Sequence, residues 1–89
     1  MKTIVQVVEV EGEGLESLLG KRVLLMCAAY FYHGTLSGVN ESFVKIDDCA
    51  IVYETGSWDG KTFVDAQRVG DGHYVMRQAI ESFREDARR

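Results

Sequence analysis

The chain has 89 residues, 46% of them hydrophobic, and a formal net charge of −4. This length predicts a single domain over residues 1–89, and so small a domain is marginally stable unless something such as oligomerisation extends its core. The negative charge argues against broad electrostatic binding of nucleic acid, which needs clustered lysine and arginine, but it leaves room for a local basic patch.

The sequence predicts a cytoplasmic protein without membrane segments. Its first residues lack the apolar run of a signal peptide. No segment approaches the roughly 20 apolar residues of a membrane-spanning helix. Cys27 and Cys49 lie far apart and form no CxxC pair, so we expect both thiols to be reduced and to pack in the core as small hydrophobes.

The N-terminal part of the chain predicts a strand followed by a short helix. Residues 3–10 are rich in β-branched side chains, as strands are. The Glu-Gly-Glu-Gly run at 11–14 ends this segment. Residues 15–19 fit one helical turn or slightly more, which Gly20 would end.

The middle of the chain predicts a series of strands. Four of them cover residues 23–26, 30–39, 43–53 and 61–69, and residues 73–76 are either a short fifth strand or the start of a helix. Gly34 stands inside the second strand. Because an interior glycine usually marks a bend or a close backbone approach, we expect this strand to be strongly bent at Gly34.

The C-terminal segment predicts a helix, because its apolar residues follow helical spacing. They form one stripe: Met76, Ala79, Ile80, Phe83 and Ala87. We expect a helix over about residues 77–87 that covers the rest of the domain or contacts a protein partner. Trp58, on a Gly-rich loop, is a second candidate for such a contact, with folding back onto the domain as the alternative.

Four short segments follow one another in an ordered pattern: Leu-Gly-Lys-Arg-Val at 19–23, Tyr-His-Gly-Thr-Leu at 32–36, Asp-Asp-Cys at 47–49 and Arg-Val-Gly-Asp at 68–71. Together they resemble the motifs of the Sm/LSm family, over roughly residues 15–76. The resemblance implies a mainly β fold, an SH3-like bent barrel of five strands with a short N-terminal helix and a C-terminal helix. It also implies pairing of edge strands between subunits, which closes a homo-oligomeric ring of five to seven subunits.

The resemblance further implies that single-stranded RNA binds at the pore of the ring. The residues at the corresponding positions are Asn40, Phe43, Arg68 and Gly70. Phe43 would stack on a base, although a core position is the commoner role of such an aromatic residue. A ring would repeat nearby cations once per subunit: Lys45, Arg68 and Arg77.

Two departures from the family pattern weaken the RNA hypothesis. The asparagine that binds a base in the family is absent here, and Arg68 is displaced by one position, which turns a strand side chain to the opposite face. The alternative is a structural or adaptor ring that binds protein partners and no RNA.

No pattern in the sequence predicts an enzyme or a cofactor. The two histidines and two cysteines lack the paired spacing of structural zinc ligands. Asp47 and Asp48 are adjacent, so in a strand they would face opposite sides and could not act together. We therefore expect no catalytic residue, metal or cofactor.

Overall fold

The computed structural model describes residues 12–88, which form a mainly β domain of six antiparallel strands. The strands are β1 (Arg22–Cys27), β2 (Phe31–Val39), β3 (Phe43–Glu54), β4 (Asp65–Gly70), β5 (His73–Met76) and β6 (Ile80–Glu85). They lie in the order β4-β3-β2-β1-β6, and β5 pairs with β3. The predicted strand at residues 3–10 lies outside the described residues.

The main hydrophobic core lies on one face of the sheet. It consists of buried side chains from four strands and the segment before β1: Leu15, Val23, Leu25, Cys27, Leu36, Val44, Ile46, Cys49 and Val75. A smaller buried layer lies on the opposite face. There Leu24 pairs with His33, His33 pairs with Ala50, and the ring of Phe63 packs edge-on against His33 at 4.8 Å. The long connection between β3 and β4 therefore covers the second face.

The long strand β3 is divided into two halves. Its first half, Phe43–Ile46, pairs with β5, and its second half, Cys49–Glu54, pairs with β4. Asp48 lies between the halves and has a φ of 49°, a left-handed conformation that is uncommon for a residue other than glycine. The pairing of β2 with β3 also shifts register here, between His33 and Thr35.

Gly34 lies at this register shift, inside β2 and away from its ends. A Cβ at this position would lie 2.7 Å from the carbonyl oxygen of Asp47 and would collide with a methyl group of Ile46. The backbones of β2 and β3 can approach this closely only because Gly34 has no side chain.

The prediction of a closed five-stranded SH3-like barrel is wrong. The strands form an open sheet in which, among residues 12–88, β4 and β6 each pair with a single neighbour. The predicted N-terminal helix is also wrong, since only a three-residue 3-10 turn, Glu16–Leu18, precedes β1. In the described part of the chain, no helix is long and apolar enough to cross a membrane.

The predicted C-terminal helix is a strand. Residues 77–79 form a 3-10 turn and residues 80–85 form β6, which pairs with β1. Ile80 lies opposite Cys27 and Phe83 opposite Leu25, with a register shift between them. The extra residue of this bulge places Ile80 and Phe83 on the same face at a spacing of three, which imitates the spacing of a helix.

We expect Gly34→Ala to destabilise the protein by on the order of 1–3 kcal/mol, because the new Cβ cannot be accommodated without moving β3. Thermal unfolding followed by circular dichroism measures the loss. Gly38→Ala is the matched control, since this glycine also lies inside β2 but its Cβ would meet only the Lys45 Cβ, at 3.4 Å. Equal stability of the two variants would contradict the close approach.

Candidate functional site

The turn between β2 and β3 is built by the side chain of Asn40. Its Oδ1 accepts hydrogen bonds from the backbone N–H groups of Ser42 at 2.7 Å and Phe43 at 2.8 Å. Asparagine suits this role because its short side chain reaches the backbone two residues further on. The side-chain oxygen is thus committed to the turn, and only the NH2 group of Asn40 can serve a ligand.

Phe43 and Tyr74 form an aromatic pair beside this turn. Their ring centroids lie 5.0 Å apart with an interplanar angle of 81°, an edge-to-face arrangement. Phe43 is half-buried, whereas Tyr74 is 57% exposed. The exposed aromatic surface at this corner is therefore that of Tyr74, and Phe43 holds it in place.

Arg77 fixes the turn from the other side. Its backbone N–H donates to the carbonyl of Ser42 and its Nη1 donates to the carbonyl of Asn40, each at 2.9 Å. Its Nη2 lies 2.6 Å from Oε1 of Glu16. A backbone hydrogen bond within Glu16 and the Arg77 guanidinium hold the pKa of the Glu16 carboxyl below its usual range. We call Asn40, Phe43, Tyr74 and Arg77 the turn surface.

The structure separates the four residues that the sequence predicted to contact RNA into two pairs. Asn40 and Phe43 lie together, whereas Arg68 and Gly70 lie on β4, opposite Ala50 and Cys49. Since Phe43 and Cys49 are six residues apart on β3, the two pairs are separated by up to about 20 Å along the strand.

The sequence reasoning missed Tyr74 and counted Arg77 only as a positive charge. The alternation in the short strand β5 was the available signal. Val75 is 5% exposed, so its neighbours Tyr74 and Met76 face the other way, and both are more than half exposed.

A second cluster lies on the other half of β3, where two arginines share one carboxylate. Nη1 of Arg22 donates to Oδ2 of Asp48 at 3.0 Å, and Nη1 of Arg68 donates to Oδ1 of the same residue. Arg22 is largely buried, whereas Arg68 is exposed. Both arginines line a cavity of about 250 Å³, closed on one side by Phe63, which we call the arginine cavity.

His33 is buried at the wall of the arginine cavity, and its hydrogen bonds fit the neutral imidazole. Its Nδ1 lies 3.3 Å from Nη2 of Arg22, and its Nε2 lies 2.9 Å from the carbonyl oxygen of Asp86. A guanidinium only donates hydrogen bonds, so Nδ1 must accept and the proton must sit on Nε2. Burial, reinforced by the positive charge of Arg22, lowers the pKa of His33 despite its hydrogen bond to Asp86.

Asp86 and Arg88 form an almost fully buried ion pair in the C-terminal segment, and Arg88 also contacts the loop before β4. Nη2 of Arg88 lies 2.6 Å from Oδ2 of Asp86, and the guanidinium stacks on Phe63 at 4.2 Å. Burial alone would raise the pKa of Asp86, but the hydrogen bonds and charge of Arg88 bring it below its usual range. Trp58, 54% exposed, lies 5.8 Å from the guanidinium carbons of both Arg84 and Arg88.

The two thiols are ordinary core groups. Cys27 and Cys49 are free and buried, and burial raises the pKa of Cys49 to about 11. A thiol with so high a pKa is a poor nucleophile at neutral pH. Among residues 12–88, no three histidine, cysteine or acidic side chains converge as a metal site requires.

The chain matches no protein-family model, no curated protein and no solved structure. The geometry of its two polar clusters therefore carries the functional argument. The turn surface offers an exposed aromatic ring beside a guanidinium, which suits a nucleobase next to a phosphate. The arginine cavity offers two guanidiniums that converge on one carboxylate, which suits an anion.

We expect the melting temperature to fall as the pH is lowered from about 7.5 to about 5.5, because of His33. The unfolded histidine binds a proton near pH 6.5, whereas the folded one resists protonation. The stability contributed by neutral His33 is complete above about pH 6.5 and is lost as the pH falls towards the lower folded pKa.

The matched variant for this experiment is His33→Gln. A glutamine keeps one donor and one acceptor at the position but cannot take up a proton. Thermal unfolding of both proteins at several pH values gives the two slopes. A slope in His33→Gln as steep as that of the wild type would show that another group causes the pH dependence.

Proposed function

We propose that the protein is a homo-oligomeric single-stranded RNA-binding protein, as its resemblance to the Sm/LSm family implies, and that the turn surface contacts the RNA. The observation that carries this proposal is the exposed ring of Tyr74, held edge-on by Phe43 at the turn that Arg77 fixes. An exposed aromatic ring stacks on any base, and a neighbouring guanidinium binds the phosphate that joins that base to the next.

The turn surface favours a single strand over a duplex. Stacking on Tyr74 needs a base whose face is free, and the bases of a duplex already stack on one another. The NH2 group of Asn40 adds a donor for a base edge. The net charge of −4 and the ion pair between Glu16 and Arg77 oppose a polyanion. We therefore propose that the affinity for RNA is weak to moderate and that it depends strongly on salt.

Among residues 12–88 the sheet has open edges, and these support assembly. β4 and β6 carry apolar side chains that are only partly covered: Val69 is 41% and Phe83 39% exposed. An unpaired edge strand is a template for a strand of another chain. We propose that β4 of one subunit pairs with β6 of the next, and that this head-to-tail contact closes a ring of five to seven subunits.

The second candidate function is a structural or adaptor ring that binds protein partners and no RNA. The half-exposed Trp58 favours it, because an exposed tryptophan is typical of protein interfaces. A C-terminal helix cannot make the predicted partner contact, since those residues form β6. A cytoplasmic location is proposed for either function, because Cys27 and Cys49 are free thiols.

We expect Tyr74→Ala to weaken binding of a short oligo-uridine by about 1–3 kcal/mol, the contribution of stacking one base. Fluorescence anisotropy at low and physiological salt measures the affinity, and its logarithm should fall with slope about −0.7 per phosphate contact. Tyr53→Ala is the matched control, since Tyr53 is 48% exposed but packs against Tyr30, away from the turn surface.

A variant that should strengthen binding completes this test. Glu16→Gln removes the carboxylate that competes with phosphate for Arg77, so we expect the affinity to rise and the salt dependence to steepen. Binding that is the same in wild type, Tyr74→Ala and Glu16→Gln would place the RNA elsewhere. Absence of binding at low salt in an intact oligomer would favour the adaptor ring.

We expect light scattering after size exclusion to give a mass of five to seven protomers at micromolar concentration. Val69→Lys should lower this mass, because a charge on an edge strand blocks pairing with a second chain. Val64→Lys is the control: Val64 is 72% exposed and lies in the loop before β4. A wild-type protein that elutes as a monomer would refute assembly.

A further inference from the structure

We propose that the arginine cavity binds a phosphate monoester, with the phosphate between Arg22 and Arg68 and the organic group against Phe63. This site lies on the second half of β3, apart from the turn surface. Phosphate binding at the arginine cavity therefore does not depend on RNA binding at the turn surface.

The first observation is the arrangement of Asp48, whose carboxylate occupies the position of an anion between the two guanidiniums. Its backbone is held in place by the side chain of Asp71, whose Oδ1 accepts from the Asp48 N–H at 2.8 Å. The Asp48 side chain, however, is 52% exposed. It can turn into water without moving the strand, and both guanidiniums then face an incoming anion.

The second observation is the space beside these arginines. Alanines at positions 50 and 66 leave room over the sheet, and Phe63 and Val64 form an apolar wall, in a cavity of about 250 Å³. Thr62 adds a hydroxyl group to the lining, and Asp65 adds a carboxylate whose charge opposes that of an anion. A planar apolar or aromatic group fits against this wall while its charged end meets the arginines, a combination typical of small-molecule sites.

The third observation is an unsatisfied donor. Nε of Arg22 is buried and has no hydrogen-bond partner among residues 12–88. A buried donor without an acceptor is unfavourable, and such groups are rare in folded proteins. Arg22 also lines the cavity, so one of the two guanidiniums there has hydrogen-bonding capacity that residues 12–88 leave unused.

The competition with Asp48 selects the class of anion. Asp48 is tethered, so it competes with any free anion for the arginines at a high effective concentration. A free carboxylate has the same charge and the same two oxygens, and it gains nothing in the exchange. A phosphate monoester has a charge of about −1.5 to −2 and three acceptor oxygens. It therefore displaces Asp48 from the two guanidiniums.

A phosphate monoester has two sources with the same chemistry: a free nucleotide and the terminal phosphate of an RNA strand. The first experiment is isothermal titration calorimetry of the full chain with uridine monophosphate, uridine and inorganic phosphate. We expect the monophosphate to bind and uridine without phosphate to bind at least about tenfold more weakly, because it lacks the charge-assisted hydrogen bonds.

Two variants give opposite results if the site is correct. Arg68→Gln should weaken binding of the monophosphate about tenfold, and Asp48→Asn should strengthen it, because the internal competitor loses its charge. Arg84→Gln is the control, since Arg84 is an exposed arginine outside the cavity lining. Arg68 is exposed, so its loss leaves the fold intact, which a thermal melt verifies.

Oligo-uridines that carry either a 5′-phosphate or a 5′-hydroxyl group show which of the two phosphate monoesters is the ligand. They are added to the Tyr74→Ala variant, in which RNA binding at the turn surface is weakened. Preference for the phosphorylated strand supports the site with a strand end as its ligand. Equal binding of both strands, together with binding of the monophosphate, supports the site with a free nucleotide. Uridine binding as tightly as its monophosphate, or no binding by folded Asp48→Asn at millimolar ligand, would overturn the proposal.

Discussion

The structure depends on the close approach of Gly34 in β2 to the backbone of β3 at Asp47. No side chain fits between the two strands at this point. β3 therefore loses its regular register, Asp48 adopts a left-handed conformation, and the strand continues as two halves with different partners. β5 pairs with the first half and β4 with the second, so this crossing places both strands, whereas β6 pairs with β1.

Each half of β3 carries one polar cluster of a different physical kind. The turn surface is open, with an aromatic ring, Tyr74, that is more than half exposed, and it suits a flexible strand that brings its own bases. The arginine cavity places one guanidinium, that of Arg22, against a buried layer that includes His33, whereas Arg68 is exposed. Arg22 is therefore ordered before a ligand binds, which suits a small anion.

The strands in the middle of the chain could be predicted, because alternation of apolar residues is a local signal, although β4 begins at Asp65 and not at residue 61. The C-terminal helix was wrong since the bulge in β6 gives Ile80 and Phe83 helical spacing, and the closed barrel was wrong since the pairing of distant edge strands leaves no local pattern. The hydrogen-bond partners of His33 could not be predicted for the same reason, since they lie 11 and 53 residues away along the chain.

Amide chemical-shift mapping by NMR shows whether the two halves of β3 carry two separate binding surfaces. We expect an oligo-uridine with a 5′-hydroxyl group to move the signals of residues 40–43 and 74–77, and uridine monophosphate to move those of residues 22, 48 and 62–68. Movement of one common set of signals by both ligands would show a single binding surface.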